Sequence, residues 1–137
     1  MVRRGVDRAE AVAGLPRRRC PTASLAVHGS PGTPTADVLG TDRPAVDALP
    51  GAGIRLHPAL ALCEAEVRHA IRHEQARSVE DLLARRHRAL FIDARSARDA
   101  APAVAALLAD ELGFDEGQTR EQTEAFQRLA EGFLTDG

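Results

Sequence analysis

Three groups of residues have the types and spacing to do chemistry. The first is Glu66-Val-Arg-His69 with His73 one helical turn further on, the Glu-x-x-His spacing with which helical bundles hold a di-iron centre. That centre needs a second such motif and two further glutamates on facing helices, and the chain has no second Glu-x-x-His. Nor is there the His-Glu-x-x-His order of zinc hydrolases. Surface or interface histidines are therefore expected, with a small metal-binding bundle on Glu66, His69 and His73 as the weaker alternative. The second group is the serines 24, 30, 78 and 96, none of which stands in Gly-x-Ser-x-Gly. The Gly-rich stretches Gly29-Ser-Pro-Gly32 and Gly51-Ala-Gly53 lack the Lys-Ser/Thr ending of a phosphate cradle, and they read as turns.

The third group is the densest. Between positions 73 and 88 stand six arginines or histidines and three acids. Glu74 lies one turn before Arg77 and Asp81 four residues before Arg85, spacings that pair charges on a helix face. Solvated ion pairs of this kind contribute only about 0.3–0.5 kcal/mol each. His73, Glu74, Arg77, Asp81, Arg85 and Arg86 are accordingly expected to make structural or interaction contacts, and no residue is expected to be catalytic.

The elements that must position these residues follow from the pattern around them. At 137 residues, 44% hydrophobic and 28% charged, the chain is globular in composition and short for an enzyme enclosing a dinucleotide and a substrate. All 18 basic residues are arginine, and there is no Trp or Tyr and only four Phe. A formal charge of -2 with so few stacking aromatics argues against nucleic acid as a partner. Cys20 and Cys63 form no Cys-x-x-Cys pair and are expected as free thiols in a reducing cytoplasm. The N-terminus lacks the apolar stretch of a secretory signal, and the cytoplasm is the default location.

Residues 3–13 have a weak amphipathic pattern stopped by Gly14 and Pro16. From Pro16 to His57 the chain is rich in Pro, Gly, Thr and Asp, so 16–57 reads as an extended linker. Pro58 suits a first helical turn, and Leu60, Cys63, Val67, Ala70 and Ile71 then follow a helical stripe. Ser78-Val-Glu-Asp81 has the form of an N-cap with an acid at the third position, starting a second helix near Val79. The run Leu90-Phe91-Ile92 has no decisive period, after which Asp93 can cap a helix. Pro102 is expected to open a fresh helix carrying Val104, Leu107, Leu108 and Leu112, with Gly113 as its stop. Asp115 and Glu116 begin the last helix, on which Phe126, Leu129, Ala130 and Phe133 recur. The expected fold is all-α, a small bundle of four or five helices over 58–137, preceded by the linker and a short N-terminal helix over 1–15. Its small core favours docking against another domain or a second copy.

The run Glu64-Ala-Glu-Val67, His73-Glu-x-Ala-Arg-Ser78-x-Glu-Asp81-x-Leu83-x-Arg-Arg86-x-Arg88-x-Leu-Phe-Ile-Asp93 resembles the C-terminal domain of the FAD-dependent glycerol-3-phosphate dehydrogenase and oxidase family. The resemblance continues in Val104-Ala-x-Leu-Leu-Ala-x-Glu-Leu-Gly113 and Gln122-x-x-Ala-Phe126-x-x-Leu-Ala130-x-Gly-Phe-Leu134, and upstream in Asp7-Arg-Ala9, Cys20-x-Thr22 and His28-Gly29. Departures are His87 in place of threonine, Gln75 in place of a large apolar residue, and a short connection between Gly29 and Leu56.

This resemblance implies that 1–15 is a remnant helix of a flavin domain and that 58–137 is a cap domain of the parent enzyme. The parent oxidises glycerol 3-phosphate to dihydroxyacetone phosphate with FAD, at the inner membrane face, and its flavin fingerprint lies outside these residues. No cofactor is expected in this chain, which is expected to be inactive alone. Its expected partner is the flavin domain, in cis or in trans. The alternative is a free-standing helical interaction module from a split or truncated gene.

Overall fold

The computed structural model describes residues 2–16, 21, 24, 25, 30 and 39–134. The chain divides into two compact units, Met1–Thr41 and Asp42–Gly137.

In the first unit a single helix, α1 (Val2–Val12), ends where Gly14 takes φ 65°, a left-handed conformation that suits glycine. The expected apolar side of this helix covers little: Val6, Val12 and Leu15 are exposed. Cys20, Thr22, His28 and Gly29 lie outside the described residues.

The second unit begins earlier than expected. Residues 42–57, expected as the end of a linker, enter its packing through α2 (Arg43–Asp47). Pro44 sits in the first turn of that helix, Val46 is fully buried, and Arg43 pairs with Glu66 at 3.2 Å. Gly51 then turns the chain at φ 84° against Glu64, where an added Cβ would meet the Glu64 Cβ at 2.4 Å. The Pro and Gly density that read as a linker is thus the chemistry of two tight turns, and the buried Val46 makes the segment part of the unit.

The next helix starts later than Pro58. An isolated antiparallel bridge pairs Arg55 with Cys63, through Leu56 N–H to Leu62 O at 3.1 Å and Glu64 N–H to Ile54 O at 3.0 Å. This bridge holds 56–62 as a loop that buries Leu60 and Leu62. The helix α3 (Glu64–His73) begins behind it, with the Glu66 carboxylate accepting from Cys63 N–H at 3.0 Å, the reach-back half of a capping box.

After α3 the chain forms a π-helical segment (Asp81–Arg86), in which His87 N–H donates to Leu82 O, five residues back, at 2.9 Å. Three α-helices follow: α4 (Ala89–Ile92), α5 (Ala94–Leu112) and α6 (Glu116–Glu131). Asp93 caps α5 by accepting from Ser96 N–H, and Gly113 closes it at φ 75°. Asp115 and Gln118 form a reciprocal capping box on α6, which folds back along α5. These caps are the ones expected from sequence.

Pro102 departs from expectation, lying inside a continuous α5. Its ring is on the exposed side of the helix, where the Arg98 carbonyl that loses its donor can bond to water. The opposite face, Ala97, Ala101, Val104, Ala105 and Leu108, is buried along its length. That uninterrupted face offsets the ~3 kcal/mol a proline costs inside a helix. Val67, Val79, Leu83, Val104, Leu108 and Phe126 are the largest fully buried side chains of the bundle. Among the described residues no strand occurs, and no helix is long and apolar enough to cross a membrane.

Candidate functional site

The charge-dense run converges on the turn between α3 and the π-helical segment. Gln75 adopts φ 59°, a left-handed conformation that ends α3 and turns the chain away from the helix axis. Glu74 therefore leaves the helix face and does not meet Arg77 as expected. Glu74 is held by Arg86 instead, whose Nη2 donates to its backbone oxygen at 2.6 Å and whose Nε lies 3.6 Å from its carboxylate. The Arg77 guanidinium turns inward and donates to the Ile71 and Ala76 carbonyls at 3.0 and 3.2 Å.

Asp81 is the hub of this turn. Its Oδ2 accepts from Arg77 N–H at 3.0 Å and Ser78 N–H at 3.1 Å, while its own N–H donates to Ser78 Oγ at 3.0 Å. This is the expected N-cap in reciprocal form. Arg85 bonds to its other carboxylate oxygen, as the i+4 spacing foretold, and also pairs with Glu80. Burial pushes the Asp81 carboxyl up, but the Arg77 backbone N–H, the Arg85 guanidinium and Ser78 outweigh it and hold the group below its ordinary range. A further bond from Val79 N–H to Gln122 Oε1 at 3.2 Å ties the turn to α6.

The His73 ring packs on His69 with centroids 4.8 Å apart. His69 is not a surface histidine: it is 8% exposed, because α3 buries it beside Ala65, Ala70 and Ile71. Its Nε2 lies 4.0 Å from Glu74 Oε1. Glu66, the third member of the expected metal alternative, has one oxygen on Arg43 and the other on Cys63 N–H.

The strongest ionic cluster escaped sequence reading. Arg68 reaches Asp110 at 2.6 Å and Glu111 at 2.5 Å, and Arg72 grips Glu111 in a two-point fork at 2.7 and 2.6 Å. The fork geometry is the strong form of an arginine–carboxylate bond. The Arg72 guanidinium, against the opposing effect of burial and helped by Arg68, lowers the Glu111 carboxyl from 4.5 to about 2. A signal existed: Arg68 and Arg72 are like charges at i,i+4 beside the apolar stripe of α3, an unfavourable pair unless carboxylates answer it.

Polar groups thus satisfy one another inside the unit, and the exposed chemistry lies one turn further along. Arg88 adopts φ 61° and opens α4, on which Ala89 and Leu90 are buried while Phe91 and Ile92 are 55% and 78% exposed. Phe133, beyond the end of α6, meets Phe91 edge to face at 5.6 Å, a favoured aromatic geometry. Arg88 stands over the Phe91 ring at 5.9 Å. A cleft of about 350 Å³ opens here, lined by Leu90, Phe91, Ile92, Arg95, Phe133 and Leu134 among others.

A family model for the C-terminal domain of alpha-glycerophosphate oxidase matches residues 20–119. Similar curated proteins include a probable mitochondrial glycerol-3-phosphate dehydrogenase of Caenorhabditis elegans, 39% identical over 75 residues, 55% of this chain and 10% of the relative. The mitochondrial glycerol-3-phosphate dehydrogenase of Homo sapiens is 33% identical over 80 residues, 58% of this chain and 11% of its own length. That of Schizosaccharomyces pombe is 40% identical over 55 residues, 40% of this chain and 8% of its own. The chain spans about a tenth of the relatives it matches. No solved structure gives a significant match.

Proposed function

Because the chain belongs to the family of the C-terminal domain of alpha-glycerophosphate oxidase, we propose that it acts as the accessory cap of an FAD-dependent glycerol-3-phosphate dehydrogenase, docking on a flavin-bearing body in cis or in trans. On this reading FAD binding and the oxidation of glycerol 3-phosphate to dihydroxyacetone phosphate belong to that body, and the chain alone turns over no substrate. The observation that carries it is the family match across residues 20–119. The relatives' printed names supply the substrate, and their much greater length leaves room for the body.

The fold is consistent with a supporting role. His73, Glu74, Arg77, Asp81, Arg85 and Arg86 bond to the chain's own backbone and carboxylates or pack on a neighbouring ring, a structural office that keeps the bundle in shape for docking. A free-standing interaction module gains no support from relatives that are all named as dehydrogenases. Those relatives are named mitochondrial, so a cytoplasmic place for this chain rests on the reducing environment that suits the free thiol of Cys63.

The test is to co-express the 137-residue chain with the Caenorhabditis elegans relative from which the matching segment is deleted, and to follow glycerol-3-phosphate-dependent dye reduction. The expected result is no turnover by the chain alone and a rise in the activity or flavin retention of the body when the chain is present. A chain that neither binds nor helps would remove this reading.

A further inference from the structure

We propose that the cleft between Phe91 and Phe133 is the seat on which the flavin-bearing body docks, taking an apolar side chain of that body between the two rings while carboxylates at its edge meet Arg88 and Arg95. This deepens the accessory-domain reading and rests on it.

The cleft is a held surface. Arg88, in its left-handed conformation, fixes the start of α4, and Asp93 fixes the end by capping α5 through Ser96. Between these two pins Ala89 and Leu90 must turn inward, so Phe91 and Ile92 are presented outward. Single exposed apolar residues are ordinary on a protein surface. Two aromatics in edge contact beside an isoleucine, around a cleft of about 350 Å³, form a contiguous patch of the kind that marks an interface. Each such side chain forgoes about 1.5–3 kcal/mol by staying in water, which docking recovers.

Charge selects the occupant. Arg43, Arg68, Arg72, Arg85 and Arg86 all have acid partners within the unit. Arg88 and Arg95 have none among the described residues, and the nearby Asp93 carboxylate is engaged by Ser96. A second copy docking through a two-fold axis would set this cationic rim against itself. A body with an acidic rim meets no such penalty, and the relatives carry nine-tenths of their length outside the matched segment.

The experiment uses the tagged 137-residue chain and the truncated relative described above, reading the flavin absorbance that co-purifies with the tag at low and high salt. Wild-type chain should retain the body. Phe91→Asp with Ile92→Asp should lower recovery by about tenfold or more, while the thermal melt of the isolated chain stays unchanged because both side chains are exposed. Arg88→Glu with Arg95→Glu should lower recovery similarly and flatten its dependence on salt. If both double variants recover as much flavin as wild type, the seat is elsewhere and the accessory-domain reading survives. Failure of the wild-type chain to hold any body overturns both. Sedimentation showing a dimer broken by the Phe91 substitution, or binding to anionic vesicles broken by it, would replace the proposed occupant with a second copy or a lipid surface.

Discussion

Glu111 shows how much a single carboxylate can carry in a bundle this size. Its carboxylate is forked by Arg72 and shared with Arg68, which is itself largely covered. Replacing it with glutamine leaves Arg68 facing only Asp110, and we expect Glu111→Gln to destabilise the unit by about 1–3 kcal/mol in urea unfolding. The pH dependence has a definite sign. A carboxyl lowered from 4.5 to about 2 on folding adds stability that is fully present above pH 4.5 and is lost as the pH falls toward 2. Asp81 and Asp93 are lowered as well and act in the same direction. Acid titration followed by circular dichroism should show unfolding in that window, and Glu111→Gln should shrink the acid-dependent part. A stability flat between pH 5 and 2 would remove the Glu111 assignment.

At the scale of the element, α5 is the case where local chemistry and packing conflict. Pro102 removes a donor and strains the preceding turn, yet the helix runs through it because its buried face is continuous. Pro102→Ala should therefore stabilise the chain by roughly 1–3 kcal/mol, read as a higher melting temperature with unchanged helical signal. A lower melting temperature would mean that the proline is fitted to its place. The same contrast explains what was legible beforehand. The caps at Ser78, Asp93 and Asp115 act within three residues of themselves, so sequence spacing reveals them. The start of α3 was misplaced because the Arg55–Cys63 bridge that delays it is a pairing across a loop. The Glu74–Arg77 pair was misjudged because one left-handed residue, Gln75, breaks the periodicity on which that expectation stood. The Arg68–Glu111 bond joins residues 43 positions apart, beyond the reach of any local pattern.

For the molecule as a whole, the boundary near residue 42 matters more than the Pro/Gly composition suggested. A chain starting at residue 58 would lose Val46 from the core and the Arg43–Glu66 pair. Compared with one starting at residue 42, it should be less stable by about 2–3 kcal/mol, chiefly from Val46, in paired urea titrations. Equal midpoints would return 42–57 to the status of a linker. The all-α architecture and the family resemblance were readable because they rest on the repeated helical stripe and on the motif from Glu64 to Asp93. The docking cleft was not readable: Leu90-Phe91-Ile92 has too short a run to show which side chains face out.

The widened turn at Asp81–Arg86 has one more consequence, for the lengths of chain that this fold tolerates. Deleting one residue there would restore ordinary helical spacing at no cost to the backbone. It would also rotate everything after it by about 100°, carrying Arg85 and Arg86 away from Asp81 and Glu74 and turning Phe91 off its present bearing. The stretch between Ser78 and Arg88 can therefore accept substitutions far more readily than insertions or deletions.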